Sequence, residues 1–152
     1  MKNKELFTKT VNILVDAYFK NTLQHGNCAA CAVGNIIACN MGIKFRISAV
    51  CDGFYTWDGL KVSWNKVFVT PFNHQQHNEF NYEGEAKEQI DSTGYTWQEL
   101  AKVEFAFETA YEGKSEDDYM FNGLMSVVDV LIEIHEGNET EKETAKELFV
   151  LN

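Results

Sequence analysis

A chain of 152 residues, 45% hydrophobic and 24% charged, suits a single domain with an adequate core, which excludes a disordered segment and a disulfide-dependent miniprotein. Its net charge of −10 divides into +3 over residues 1–80 and −13 over residues 81–152. Such a chain has no basic stripe to grip phosphate backbones, so non-specific nucleic-acid binding is disfavoured.

The first predicted element is a helix over about residues 3–25. Phe7, Val11, Leu14 and Tyr18 recur at i, i+4, i+7 and i+11, one apolar face of a 3.6-residue period, and His25-Gly26 supplies a C-terminal cation and a glycine stop. No unbroken apolar run follows Met1, which argues against a secretory leader, and no stretch reaches the roughly 18 apolar residues of a membrane span. The expected location is the cytoplasm. A second helix is predicted from Asn27 as N-cap through the alanine-rich run to about residue 40; Gly34 within it points to close approach of another element or a ligand.

The middle of the chain has a different grammar. Residues 44–50 alternate, with Phe45, Ile47 and Ala49 on one side, and Asp58-Gly59 separates two aromatic, β-favouring runs as a type I′ hairpin turn does. Residues 44–70 are therefore expected to form a small antiparallel hairpin or sheet, and residues 71–95 a long irregular connection. Helices resume at residue 96. Thr96-Trp97-Gln98-Glu99 is a capping box, Ser115 precedes three acids that suit a positive helix end, and Asn138 opens a short last helix. The expected fold is mainly α with a small β insertion, an α+β domain over residues 1–152. It has about five helices, with helical segments at 1–40 and 96–150.

Several constellations have the residue types that chemistry needs. Cys28-Ala-Ala-Cys31 sits at a predicted helix N-terminus, where the dipole and free amides favour a thiolate, although the βαβ context of a thioredoxin-like motif is missing. Cys39 and Cys51 offer an all-cysteine tetrahedral zinc site, and His74-Gln-Gln-His77 offers two histidines to the first cysteine pair. The spacing matches no standard zinc module, and unpaired cysteine is often buried packing, so reduced thiols and no cofactor are expected. Glu104 with Glu108, and Asp129 with Glu133 near His135, place paired acids at helical spacing. Acids from two facing helices hold Mg²⁺ in nucleotide pyrophosphohydrolases, whereas a solvated acidic face explains them more simply. Trp57 and Trp64, with Phe54 and Tyr55, form either a stacking platform or sheet packing against helices. Candidate binding residues are Cys28, Cys31, Gly34, Asn35, Trp57 and Trp64; candidate metal ligands are Cys28, Cys31, Cys39, Cys51, His74 and His77.

The run Gly26-Asn27-Cys28-Ala29-Ala30-Cys31-Ala32-Val33-Gly34-Asn35 resembles the hallmark of a family of small uncharacterised proteins from Bacteroidota and their phages. Gly94-Tyr95-Thr96 and Gly123-Leu124 with Val127-Val128-Asp129-Val130-Leu131 are similar to later segments of that family. The resemblance covers most of the chain, loosely in the middle, and implies no reaction. Some members bear the label of the F subunit of a sodium-translocating NADH–quinone reductase. A plant-type [2Fe–2S] centre needs two cysteines separated by four residues and a third after two more, a pattern that Cys28, Cys31, Cys39 and Cys51 do not make.

The leading expectation is a small acidic binding or accessory protein without catalysis, phage-encoded or from the host. It would act on a basic protein partner, on a nucleotide-like ligand or on a second copy of itself. The alternatives are a zinc- or thiol-dependent protein built on Cys28 and Cys31, and a Mg²⁺-dependent pyrophosphohydrolase. Glu112, Glu116, Asp117, Glu136, Glu139, Glu141 and Glu143 are expected to be exposed, because burying unpaired charge costs several kcal/mol.

Overall fold

The computed structural model describes residues 1–25, 31–42, 84–110, 113 and 115–150. Six helices account for all the regular structure among them: α1 (Lys4–Phe19), α2 (Ala32–Met41), α3 (Gly84–Asp91), α4 (Trp97–Glu108), α5 (Glu116–His135) and α6 (Glu139–Glu147). The expected α+β class is corrected to a helical one, since no strand occurs among the described residues. The strand at 44–50 and the hairpin around Asp58-Gly59, with Phe54, Tyr55, Trp57 and Trp64, lie outside the described residues.

Local hydrogen bonding sets most helix boundaries. In α1 the side chain of Asn3 accepts from the Leu6 amide, and Phe7, Val11, Leu14 and Val15 turn inward. The helix stops six residues before the expected His25-Gly26 close. Asn21 takes the left-handed conformation at φ 57°, and the Thr22 amide donates back to the Ala17 carbonyl at 3.0 Å. Asparagine tolerates this geometry, so it supplies the stop that glycine was expected to supply. The start of α2 is also displaced: Cys31, not Asn27, is the N-cap, and Asn27 lies outside the described residues.

Part of the stretch expected to be irregular, residues 71–95, is α3. Apart from Ala86 and Ile90, the latter fully buried, it is polar or glycine, so it shows too few apolar positions to reveal a period. The starts of α4, α5 and α6 are as expected. Thr96 and Asn138 each complete a capping box, and the Ser115 hydroxyl accepts from the Asp118 amide at 3.2 Å.

Helix α5 is the axis of the packing. It lies along α4, meets α1, and carries α6; α2 wedges between α1 and α4. The seam between α4 and α5 is closest at Gly123, where an added Cβ would stand 2.8 Å from the Phe107 carbonyl oxygen. Alanine is the better helix former by about 1 kcal/mol, but here it must push against backbone. Gly123→Ala is therefore expected to destabilise the domain by a net ~1–2 kcal/mol, since overpacking outweighs the propensity gain. Urea unfolding of the two proteins measures the difference.

The acidic surface is largely as expected: Glu116, Asp117, Glu136, Glu139 and Glu143 are exposed. Glu141 is half-buried because its carboxylate accepts from the Asn138 amide, and Glu112 lies outside the described residues. Among the described residues no helix is long and apolar enough to cross a membrane.

Candidate functional site at the start of helix α2

The first turn of α2 converges with the middle of α4. Cys31 caps the helix through its sulfur, which accepts from the Gly34 amide at 3.2 Å, and the residue is fully buried. The next amide donor, that of Val33, points at Glu104 of α4, whose Oε2 accepts it at 3.4 Å. Asn35 fixes the turn in place: its Nδ2 donates to the Cys31 carbonyl and to the Thr22 carbonyl, both at 3.0 Å. Three of the residues singled out in the sequence, Cys31, Gly34 and Asn35, thus belong to one buried turn.

Glu104 is the unexpected member. It is fully buried, and its Oε1 has no hydrogen-bond partner. Burial holds its carboxyl well above the usual glutamate range, and the charge of Glu108 pushes it further the same way. The Cys31 thiol, donating to the carboxylate, and the Val33 amide pull it back, without overcoming the burial. Ionising a carboxylate in a dry interior costs several kcal/mol, so Glu104 sits in the fold as a neutral acid. A signal for this was present in the sequence. Leu100, Glu104 and Phe107 fall at i, i+4 and i+7, which places the acid on the inner stripe of α4.

The other expected acids do not join this pair. Asp129 of α5 is half-exposed and takes the ammonium groups of Lys146 at 2.7 Å and Lys142 at 3.7 Å, and Glu133 is exposed. Two facing carboxylate pairs, as Mg²⁺ chemistry needs, are therefore not formed. His135 is buried elsewhere, with Nδ1 donating to the Lys2 carbonyl at 2.7 Å and Nε2 2.8 Å from the Tyr95 hydroxyl. That hydroxyl also donates to Thr10, and burial pushes the phenol up to about 12, so it stays protonated. The cluster ties the N-terminal segment, α1 and the start of α4 to the end of α5.

Cys39 is exposed and lies eight positions along α2 from Cys31, about 12 Å at 1.5 Å per residue, too far to share one zinc ion. Among the described residues no three histidine, cysteine or acidic side chains converge as metal donors. Cys28, Cys51, Trp57, Trp64, His74 and His77 lie outside the described residues.

One open feature lies away from this buried turn. A groove of about 350 Å³ runs between α1 and α6, floored by Phe7, Val11 and Ala145 and edged by Thr8, Asn12, Thr144 and Leu148. Sequence reasoning did not find it, because it lies between helices about 130 residues apart in the chain. Comparison with protein-family models, with curated proteins and with solved structures finds no match to this chain.

Proposed function

We propose that this chain is a small acidic binding protein of the cytoplasm, phage-encoded or from the host, that holds a basic protein partner in the groove between α1 and α6. The observation that carries the reading is the groove itself. Its floor is apolar and its edges are mostly hydroxyl and amide groups, with Lys4 and Glu141 adding one charge of each sign, which suits the apolar face of a helix laid between two others. The exposed face of α6 adds Glu143 and Glu147, acids placed to meet lysines or arginines on the rim of such a partner. Complementary charge of this kind speeds and orients encounter, while the apolar floor supplies affinity.

The test uses a synthetic amphipathic helix of leucine and lysine, titrated into the full chain at low and high salt. Binding is expected to weaken with salt, because exposed charges are screened. It is expected to fall by roughly tenfold or more in Thr144→Trp, which fills the groove from its exposed edge without touching the core. Equal binding by the two proteins would overturn the groove as the site. Sedimentation of the pure protein at both salt concentrations separates the other occupant, since a concentration-dependent dimer would assign the groove to a second copy. Saturable binding of a nucleotide in place of the peptide would move the reading to a small ligand.

A further inference from the structure

His25 lies outside both the groove and the buried turn of α2, and both of its ring nitrogens face acceptors. Nε2 stands 3.1 Å from the carbonyl oxygen of Phe107, and Nδ1 stands 3.0 Å from Oε1 of Glu116. A carbonyl oxygen has no proton to give, and neither has a carboxylate, so each bond needs an N–H from the ring. A neutral imidazole carries one N–H, whereas the imidazolium carries two. The two ends of the bridge differ in shelter: the histidine side chain is 15% exposed and that of Glu116 is 69% exposed.

The surroundings suit a cation in three further ways. Phe107 is in the last turn of α4, whose final carbonyls have no partner within the helix and form its negative end. The imidazole lies nearly flat on the Phe107 ring at 4.4 Å, within reach of a cation over an aromatic face. Glu116 is the first residue of α5, and Asp117 lines the same cleft beside it. Among the described residues the other titratable group of that cleft is Tyr18 of α1, while Glu108, which follows Phe107 on α4, is coupled to Glu104. The sequence places His25 as a closing cation for the first helix; in the fold it serves the end of α4 instead.

We propose that His25 is a proton-dependent clasp joining the tail of α1 to the end of α4 and the start of α5. As imidazolium it holds Phe107 and Glu116 at once. On losing a proton to solvent it keeps the N–H at Nε2, because the Phe107 carbonyl is the more sheltered acceptor and leaving it bare is costly. Nδ1 then turns a lone pair towards the Glu116 carboxylate, which swings into water, where an exposed side chain loses little. The cleft of about 360 Å³ between the tail of α1 and α5 loses a contact across its wall, and the acidic surface gains a free carboxylate. Histidine changes charge within about pH 5–8, so the clasp distinguishes mildly acidic from neutral surroundings.

The experiment is a double-mutant cycle on the full chain with His25→Gln, Glu116→Gln and the pair, each unfolded in urea at about pH 5.5 and about pH 8.5. The cycle cancels the titration of Glu104 and of the remaining groups, which all four proteins share. At the lower pH the pairing is expected to raise the folding constant roughly threefold, the scale of an ion pair with one exposed partner. At the higher pH this coupling is expected to vanish. Nitrogen-15 spectra of the wild-type ring, identified by its contacts with the Phe107 ring, count the protons directly. Two protonated ring nitrogens are expected at the lower pH and Nε2 alone at the higher. Equal coupling at the two pH values would overturn the clasp. So would an unchanged proton count, since two protons throughout make a fixed bridge and one throughout a neutral contact. If His25→Gln does not fold, the proton count in the wild type still decides.

Discussion

Phe107→Ala is expected to remove about 3–5 kcal/mol of stability, the range for deleting a fully buried aromatic ring. For a domain whose total stability is on the order of 5–15 kcal/mol this is a large fraction. Phe107 is fully buried on α4 where that helix meets α5. Its ring stacks on His25 with centroids 4.4 Å apart and planes 25° from parallel, and its carbonyl accepts from His25 Nε2 at 3.1 Å. Losing the ring empties the seam and removes the surface that positions the histidine, whose Nδ1 reaches Glu116 of α5 at 3.0 Å. The surroundings have little freedom to collapse, because Gly123 already brings the α5 backbone against the Phe107 carbonyl. Urea unfolding should show a lower midpoint with an unchanged slope. Phe107→Leu, which keeps most of the volume, should cost under about 1.5 kcal/mol. A cost below about 1 kcal/mol for alanine would mean that the α4–α5 seam is not where this domain keeps its core.

What could be read from the sequence was what is decided within a few residues. The caps at Thr96, Ser115 and Asn138 were legible because donor and acceptor lie three positions apart. The end of α1 was misplaced because two stop signals competed, and Asn21 acts before His25-Gly26 is reached. Helix α3 was missed because a single large apolar residue, Ile90, in eight positions makes no pattern. The candidate site was half legible. Cys31, Gly34 and Asn35 stood out as a helix start, and Glu104 as one of a pair of acids, but the contact joining them spans 71 residues. No local rule reports a hydrogen bond between the Val33 amide and a carboxylate on another helix. The position of Glu104 on the inner stripe of α4 was visible; the solvated-face reading set it aside because acids abound in that half of the chain.

Glu104→Gln is expected to stabilise the protein at neutral pH and to lose that advantage in acid. The carboxyl is raised in the fold, so between its ordinary value near 4.5 and its higher folded value the unfolded chain releases a proton that the folded chain keeps. Stability is therefore full below the ordinary value and falls as pH rises through this interval, by about 1.4 kcal/mol for each pH unit. Glutamine copies the shape of the neutral acid and does not titrate, so its variant escapes the fall. The charge of Glu108, which helps to hold the Glu104 carboxyl up, has no proton to retain on a glutamine. Stability curves for the two proteins should converge near pH 4 and separate steadily above it, with the variant higher. Parallel curves would show that Glu104 ionises as freely in the fold as out of it, which its complete burial does not allow. Glu104→Ala gives the contrasting case: it also abolishes the titration but leaves a cavity, so its gain at neutral pH should be offset by lost packing.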